Sequence, residues 1–374
     1  MASSLSGPAA LVRPVRKTMR LVGALLAGLA AAGCASIGPA TVSRDRIDYV
    51  SAVGNSWKEQ TLLNVVRLRY GDPPSFFEVS SVISGYALQG QVAAGGIFSS
   101  NAPSVPSTVA TLNGNLTYLD RPTITYTPLS GDKFAKSMLR PLPPSEIFEL
   151  IQAGYPVDAV LQMTTRALNG IFNRSNIGGV READAEFYPL LDSLRRLQRS
   201  GAVSLRLETR DSEEIGHLIF SSRQSSSQVQ TDLVFVEKTL DINLDRNSEV
   251  TVAFGAIPRD RQEIAVLTRS MMEILLEVAA GIDVPAEDVS TGLTAAAGRP
   301  PDAENPRDRP LIAIHSGGSQ PSRAYAAVRY GDTWYWIDAY DLPSKRVFTF
   351  LMMFFSLAET GVLPQTPMLT VPAS

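Results

Sequence analysis

Hydrophobic residues recur along this chain with two different periods, and each change of period marks a change of element. Ser56-Trp57-Lys58-Glu59 places a hydroxyl three residues before a glutamate, a capping-box pattern, and Leu62, Leu63, Val65, Val66 and Leu68 then follow at helical spacing. Tyr70-Gly71-Asp72-Pro73-Pro74 ends the run. With Lys58, Arg67 and Arg69 on its polar side, this reads as an amphipathic helix docked on a core rather than one that binds lipid headgroups. Over residues 80–98 the period drops to two, with Val82, Tyr86, Leu88, Val92, Ala94 and Phe98 alternating with Gly85, Ala87, Gln89, Gln91, Ala93 and Gly95. Residues 110–126 repeat the alternation more cleanly. There Leu112, Leu116, Tyr118, Ile124 and Tyr126 share one face, and Thr111, Asn113, Asn115, Thr117, Arg121, Thr123 and Thr125 the other. A loop over 99–108 with two prolines joins them, so the segment predicts a long antiparallel β-hairpin, well beyond the usual strand of roughly 5 to 6 residues.

Beyond Thr127-Pro128-Leu129-Ser130-Gly131 the pattern turns helical, with helices predicted over 145–153, 157–168 and 181–199. Strands follow at 202–208 and 217–221, then a Ser/Gln-rich turn over 221–230 and strands at 233–240 and 250–254. Ser270-Met271-Met272-Glu273 is a second capping box, opening a helix that ends at Ala280-Gly281. Residues 298–310 are polar and proline-rich, the pattern of a linker. Strands at 311–315, 324–330 and 333–337 come next, the last two forming a hairpin about Gly331-Asp332. A helix over 344–358 is apolar on all sides after Arg346 and too short to span a bilayer, so a fully buried central position is expected, and the tail after Gly361 reads as extended. The fold class is α+β, a long antiparallel β-hairpin near the N-terminus followed by a mixed helix and strand body.

Composition narrows the chemistry. The 374 residues carry 34 Lys plus Arg against 37 Asp plus Glu, a net charge of −3, which lacks the basic field a non-specific nucleic-acid binder needs. One cysteine precludes an internal disulfide, and with two histidines it leaves no basis for a Cys/His zinc site or cysteine-histidine catalysis; no metal or other cofactor is expected.

Arg13, Arg16, Lys17 and Arg20 precede an uncharged apolar run over 21–32, which ends in Gly33-Cys34. This is the n-region, h-region and small-residue cleavage zone of a signal peptide, with Met19 a second plausible start. Ala31-Ala32-Gly33-Cys34 resembles the lipobox of bacterial lipoproteins, departing from the commonest form by Ala31 in place of Leu. The resemblance covers the leader and implies a covalent diacylglycerol and acyl lipid on Cys34. Ala35 and Ser36 then fit export to the outer membrane, with the protein lipid-anchored on its periplasmic side and outer-membrane lipid among its partners. The chain thus divides into a leader (1–33), a lipidated cysteine and tether (34–56), a helix plus hairpin (57–131), an α+β body (132–297) and a C-terminal hairpin with apolar helix (298–374).

Two readings fit the long hairpin. Its apolar face packs on the body, as in any half-buried antiparallel sheet; or that face meets lipid and the small polar face lines a lumen, with Tyr86, Phe98, Tyr118 and Tyr126 at the interfaces. Because one hairpin cannot close a barrel, the second reading requires a homo-oligomer that pools its hairpins. That arrangement is similar in architecture to the pore-forming lipoprotein of curli secretion, without a shared motif. A different class of function rests on Trp334 and Trp336, whose aromatic area suits packing or a partner-binding face on a monomeric periplasmic module.

Catalytic candidates are weaker. His315-Ser316-Gly317-Gly318-Ser319 gathers a histidine, hydroxyls and free amides, but adjacency in sequence supplies no triad geometry, and no G-x-S-x-G elbow occurs. His217 heads an apolar strand and reads as structural. Residues 325–338 resemble the strand pair of transglutaminase-like domains, but Tyr325 and Ala326 stand where that family needs its histidine, and Cys34 is the sole thiol. Glu182, Asp184 and Glu186, like Asp211, Glu213 and Glu214, sit at predicted helix starts or turns, where solvated charge is ordinary. No catalytic residue is assigned. The expectation is a non-catalytic envelope structural or assembly role through self-association or contact with other envelope proteins, with a monomeric binding module as the alternative and a hydrolase using His315 as a distant third.

Overall fold

A helix that ends on a left-handed glycine is the first described element. The computed structural model describes residues 37–83, 86–98, 108–120, 123–177, 179–210, 213–221, 226–244, 249–297 and 309–358; the leader, Cys34 and the tail after Gly361 lie outside them. Helix α1 (Ile37–Arg69) runs through the segment read from sequence as a tether, which is a correction: 37–46 lacks apolar periodicity but is helical. Gly71, at φ 78, follows it and turns the chain back.

The chain divides into two units, residues 1–53 with 79–126, and residues 54–78 with 127–374. Residues 127–297 and the C-terminal segment from 298 onward fall in one unit, and of the helix-plus-hairpin segment residues 57–78 fall in the larger unit and 79–126 in the smaller.

The larger unit is built on a six-stranded mixed sheet in the order β6 (Ile171–Phe172), β5 (Thr165–Leu168), β10 (Glu263–Thr268), β9 (Glu249–Phe254), β8 (Glu213–Phe220), β7 (Val203–Arg210). Only β9 and β10 run parallel, with Val252 beside Ile264; the other neighbours are antiparallel. β10 was not predicted. Its residues are buried apart from the partly exposed Leu267, so both faces are covered and the run does not alternate. Residues 165–168, predicted as the end of a helix, leave helix α4 (Val157–Thr164) and pair with β10 instead.

Residues 233–240, read as a strand because of their β-branched and aromatic content, lie in helix α6 (Ser227–Leu240). Ser226 Oγ accepts from Val229 N at 3.4 Å to start it, and the buried Val229, Asp232, Leu233, Val236 and Leu240 repeat at helical intervals. Buried Asp232 made that period hard to see; it is held by the Arg196 guanidinium, Nη2 to Oδ1 at 2.7 Å, from helix α5 (Phe187–Ser200). Arg196 is largely exposed, and its hydrogen bonds hold the Asp232 carboxyl below the usual range. Helix α5 begins six residues later than the 181 predicted and ends at Gly201 with φ 71.

Helix α7 (Met271–Ala280) has the predicted capping box, Glu273 N to Ser270 Oγ at 3.2 Å and Ser270 N to Glu273 Oε2 at 2.9 Å. A second sheet has the order β11 (His315–Gly317), β13 (Thr333–Asp338), β12 (Ala324–Tyr330), with the 311–315 strand reduced to its last residue and shifted onward. The C-terminal helix, Leu342–Ala358, buries Phe348, Leu351, Phe354 and Phe355 but exposes Arg346, Thr349, Met353 and Ser356 along one strip, so it is not buried all round.

The core is continuous through the sheet, the flanking helices and α1 from Leu62 to Val66. Two carboxamides on α1 complete its edge. Asn64 Oδ1 accepts from Ser75 N at 2.9 Å while its Nδ2 donates to Ser75 O at 2.8 Å, and Gln60 does the same for Phe77 at 2.9 and 3.1 Å. Each side chain replaces a neighbouring strand's peptide, satisfying both polar groups of one residue. Asn64 is 1 % exposed, so Asn64→Ala is expected to strand two backbone groups and cost about 2–4 kcal/mol in urea denaturation, with Gln60→Ala, at an exposed bond, costing less.

Candidate functional site

The chain segment held by those amides continues into the strands predicted as the long hairpin. β1 (Phe77–Ile83) pairs with β4 (Thr123–Pro128), and β2 (Tyr86–Phe98) pairs antiparallel with β3 (Thr108–Asp120) from Tyr86 opposite Asp120 to Phe98 opposite Thr108. The register matches position types across the pair: Leu88 faces Tyr118 and Ala94 faces Leu112, while Gln89 faces Thr117 and Gln91 faces Asn115. A single-residue slip would mix the two sets, so the alternation fixes the register. At ~3.3 Å per residue the 13 residues of β2 extend about 43 Å, or about 30 Å along a bilayer normal at a tilt of ~45°.

Among the described residues both of these sheets contain two strands, so each has two outer edges that no third described strand pairs with. All six residues of β4 are exposed, including Ile124 and Tyr126, and Phe77 and Ile83 of β1 are exposed as well. Tyr126 is thus accessible, and Tyr86, Phe98 and Tyr118 are placed in the paired strands by backbone register. A two-stranded ribbon buries too little to be stable alone in water, which makes these edges and apolar groups the surface in greatest need of a partner.

The other predicted surface divides by face. Along β13, Tyr335 and Ile337 are fully buried, and Trp334 and Trp336 on the opposite face are half-buried. Trp336 lies over Gly317, where an added Cβ would come within 3.2 Å of its ring, and 5.8 Å from the His315 ring. His315 is therefore packed in a sheet beside an indole. The second histidine, His217, stands in β8 with Nδ1 3.4 Å from Glu249 and Nε2 3.6 Å from Glu208 on the flanking strands. Glu182 and Glu186 share a turn with Asp184, which accepts from Phe172 N at 2.7 Å; Asp211 lies outside the described residues. Among the described residues no group of three or more His, Cys, Asp or Glu is placed to hold a metal ion.

A tyrosine cluster that the sequence reading missed ties this hairpin to the end of α1. Tyr70 OH donates to the Asp288 carboxylate, lies 2.5 Å from Tyr335 OH, and its ring is 5.1 Å from that of Tyr330, which donates to Asp72. Arg69 Nη2 donates to Ala295 O at 2.6 Å, and Thr294 Oγ1 to Arg69 O at 2.8 Å. Burial, then the bond to Asp288, raises the Tyr70 pKa; burial also raises that of Tyr335 and lowers that of Arg69. Tyr70-Gly71-Asp72 was legible as a helix stop, but nothing local announced partners 218 and 265 residues away.

The hydrogen bond to Asp72, followed by burial, pushes the Tyr330 pKa up to about 12 from 10.0. Folded Tyr330 keeps a proton that the unfolded phenol releases, so its stabilisation is complete below pH 10 and is lost as the pH rises toward 12. Denaturation midpoints are expected to fall across that window, and to fall less in Tyr330→Phe.

Among the described residues no helix is long and apolar enough to cross a membrane. No family model matches this chain, and no curated protein and no solved structure matches it either.

Proposed function

We propose that this protein is an outer-membrane lipoprotein, anchored through acylated Cys34 on the periplasmic side, with a non-catalytic envelope role in which copies self-associate through the β-ribbon into a scaffold or pore. The observation that carries the reading is the pair β2–β3: 13-residue strands in matched register, long enough for a bilayer, in a sheet that no third strand among the described residues extends. An open edge is forbidden in hydrocarbon and a liability in water, and joining copies edge to edge removes it in either medium. The alternation of Leu88, Val92 and Ala94 with Gln89, Gln91 and Ala93 then gives the assembled sheet one apolar and one small polar face. The half-buried Trp334 and Trp336 support the second reading, a monomeric module that binds another envelope protein.

The test is the mass and shape of the lipidated protein after gentle detergent extraction. A defined homo-oligomer is expected, reduced to monomer when residues 80–126 are replaced by a short Gly/Ser linker; a monomeric full-length protein would overturn self-association and leave the binding module. Separately, Cys34→Ser is expected to weaken membrane attachment of the protein in cell fractionation, because the acyl chains contribute ~0.8 kcal/mol per buried methylene.

A further inference from the structure

The strip that the C-terminal helix leaves exposed borders a groove of about 620 Å³ in the larger unit, with α4 as its other wall. Its floor is apolar: Val160 and Met163 of α4 are each 1 % exposed, and Phe350 of the C-terminal helix is buried as well. At one end Tyr155 bridges the two walls, its hydroxyl donating to Met353 Sδ at 3.2 Å and its ring lying 5.2 Å from that of Phe350. Lys345 and Arg346 stand two turns back along the helix, roughly 10 Å away.

Charge at that second end is one-sided. Lys58 Nζ and Lys345 Nζ lie 4.8 and 5.7 Å from the centre of the Tyr325 ring, so two ammonium groups share one aromatic ring. Tyr325 is itself fixed, its hydroxyl 2.9 Å from Thr349 Oγ1 and its ring edge-on to Phe348. Lys345 Nζ also donates to Ala339 O at 2.8 Å, which holds it in place without neutralising it. Among the described residues no carboxylate pairs with Lys58, Lys345 or Arg346, and none lines the groove. Asp341, one turn before Lys345, is committed to the helix start, where it accepts from Ser344 N at 3.1 Å.

We propose that this groove binds a free fatty acid, with its carboxylate at Lys345 and Arg346 and its alkyl chain laid along the apolar floor toward Met353. The layout selects a ligand with a head and a tail. Cations confined to one end favour an anionic head over a plain hydrocarbon, and a floor of Val160, Met163 and Phe350 gives a small hydrophilic anion nothing to bind. The volume lies in the range of small-ligand sites, and the two helical walls enclose one trough, which suits a single chain. Burial of the chain supplies the affinity, and the guanidinium fork of Arg346 takes the carboxylate oxygens. A bound chain also accounts for the helix's exposed strip, where Leu342 and Met353 face outward although the segment is apolar almost throughout. This inference is independent of self-association through the ribbon.

The experiment is calorimetric titration of the full chain, free of detergent and at low salt, with monomeric dodecanoate and with dodecyltrimethylammonium, which carries the same chain on a cationic head. Saturable binding of dodecanoate is expected, with the cationic probe at least about tenfold weaker. Arg346→Gln is expected to weaken dodecanoate about fivefold, the size of an exposed ion pair. Ala159→Phe, which puts a ring into the groove from α4, is expected to abolish binding while circular dichroism shows the fold retained. Should that variant fail to fold, Met353→Asp on the opposite wall carries the same test, because Met353 is 38 % exposed and a charge there meets the chain. Equal affinity for the two probes, or no saturable heat from dodecanoate with the folded protein, would overturn the proposal. Unchanged affinity in Arg346→Gln and in the wall variant would do so as well. A dimer that Ala159→Phe dissociates and dodecanoate does not would also overturn it, giving the groove to a second copy.

Discussion

Two carboxamides one helical turn apart on α1 determine where the β-ribbon begins. Asn64 and Gln60 each bind the N–H and C=O of one residue, Ser75 and Phe77, on the same edge of the extended chain. The intervening Phe76 presents its carbonyl to the other edge, where Leu129 N donates at 2.9 Å, and sends its ring into the core, 5.2 Å from Phe355. Residues 75–77 are thus hydrogen-bonded on both sides before the first ladder bond of β1 forms. Phe76 alone would leave the strand free to slide or rotate. Hydrophobic burial sets its depth, and the amides set its register and direction.

That arrangement puts a helix where a third strand would otherwise stand. The amides satisfy only residues 75 and 77, so their influence ends where the ribbon proper begins, and farther along no third strand among the described residues pairs with either edge of β2–β3. Lys133, 2.6 Å from Glu78, adds an ion pair at the base, partly exposed and therefore weak. The C-terminal end of α1, just beyond the amides, is secured through Tyr70, whose hydroxyl lies between Asp288 and the buried Tyr335. One helix therefore fixes the origin of the ribbon with its polar amides and meets the C-terminal hairpin with its last turn.

Much of this was legible in the sequence wherever one physical rule acted locally. Period two across 80–98 and 110–126 gave the ribbon, because each position's face is set by the strand itself; Ser270 and Glu273 gave α7, because a capping box is complete within four residues. Failures arose where distant packing decided. Leu233-Val234-Phe235-Val236 has strand composition, yet Ser226 caps it and α5 packs along it, so tertiary contact overrode propensity. β10 is covered on both faces and left no period to read. Ile37 to Arg46 is helical without an amphipathic signature, a property that only the continuation into the docked half of α1 supplies. Among site residues, Tyr126 was visible as an exposed strand aromatic, whereas Tyr70 meets Asp288 and Tyr335, 218 and 265 residues away, and the three share no local pattern.

The ribbon and the rest of the chain obey opposite economies. In the larger unit, several buried polar groups are matched within the fold: Asp232 by Arg196, Asn173 Nδ2 by Gln162 O and Thr165 O, Thr268 Oγ1 by Leu142 O at 2.6 Å. In the ribbon, regular pairing is confined to the inner edges, and the apolar side chains described at its base, Phe77, Ile83, Ile124 and Tyr126, remain exposed. A sequence that closes its core so thoroughly has the means to blunt an edge with a proline, a bulge or a lysine. β2 and β3 contain none of these: both lack proline and lysine, and their register runs without a shift from end to end. Edges left regular over 13 residues are the physical ground for the proposed self-association, because a second copy would carry the same strands in the same register.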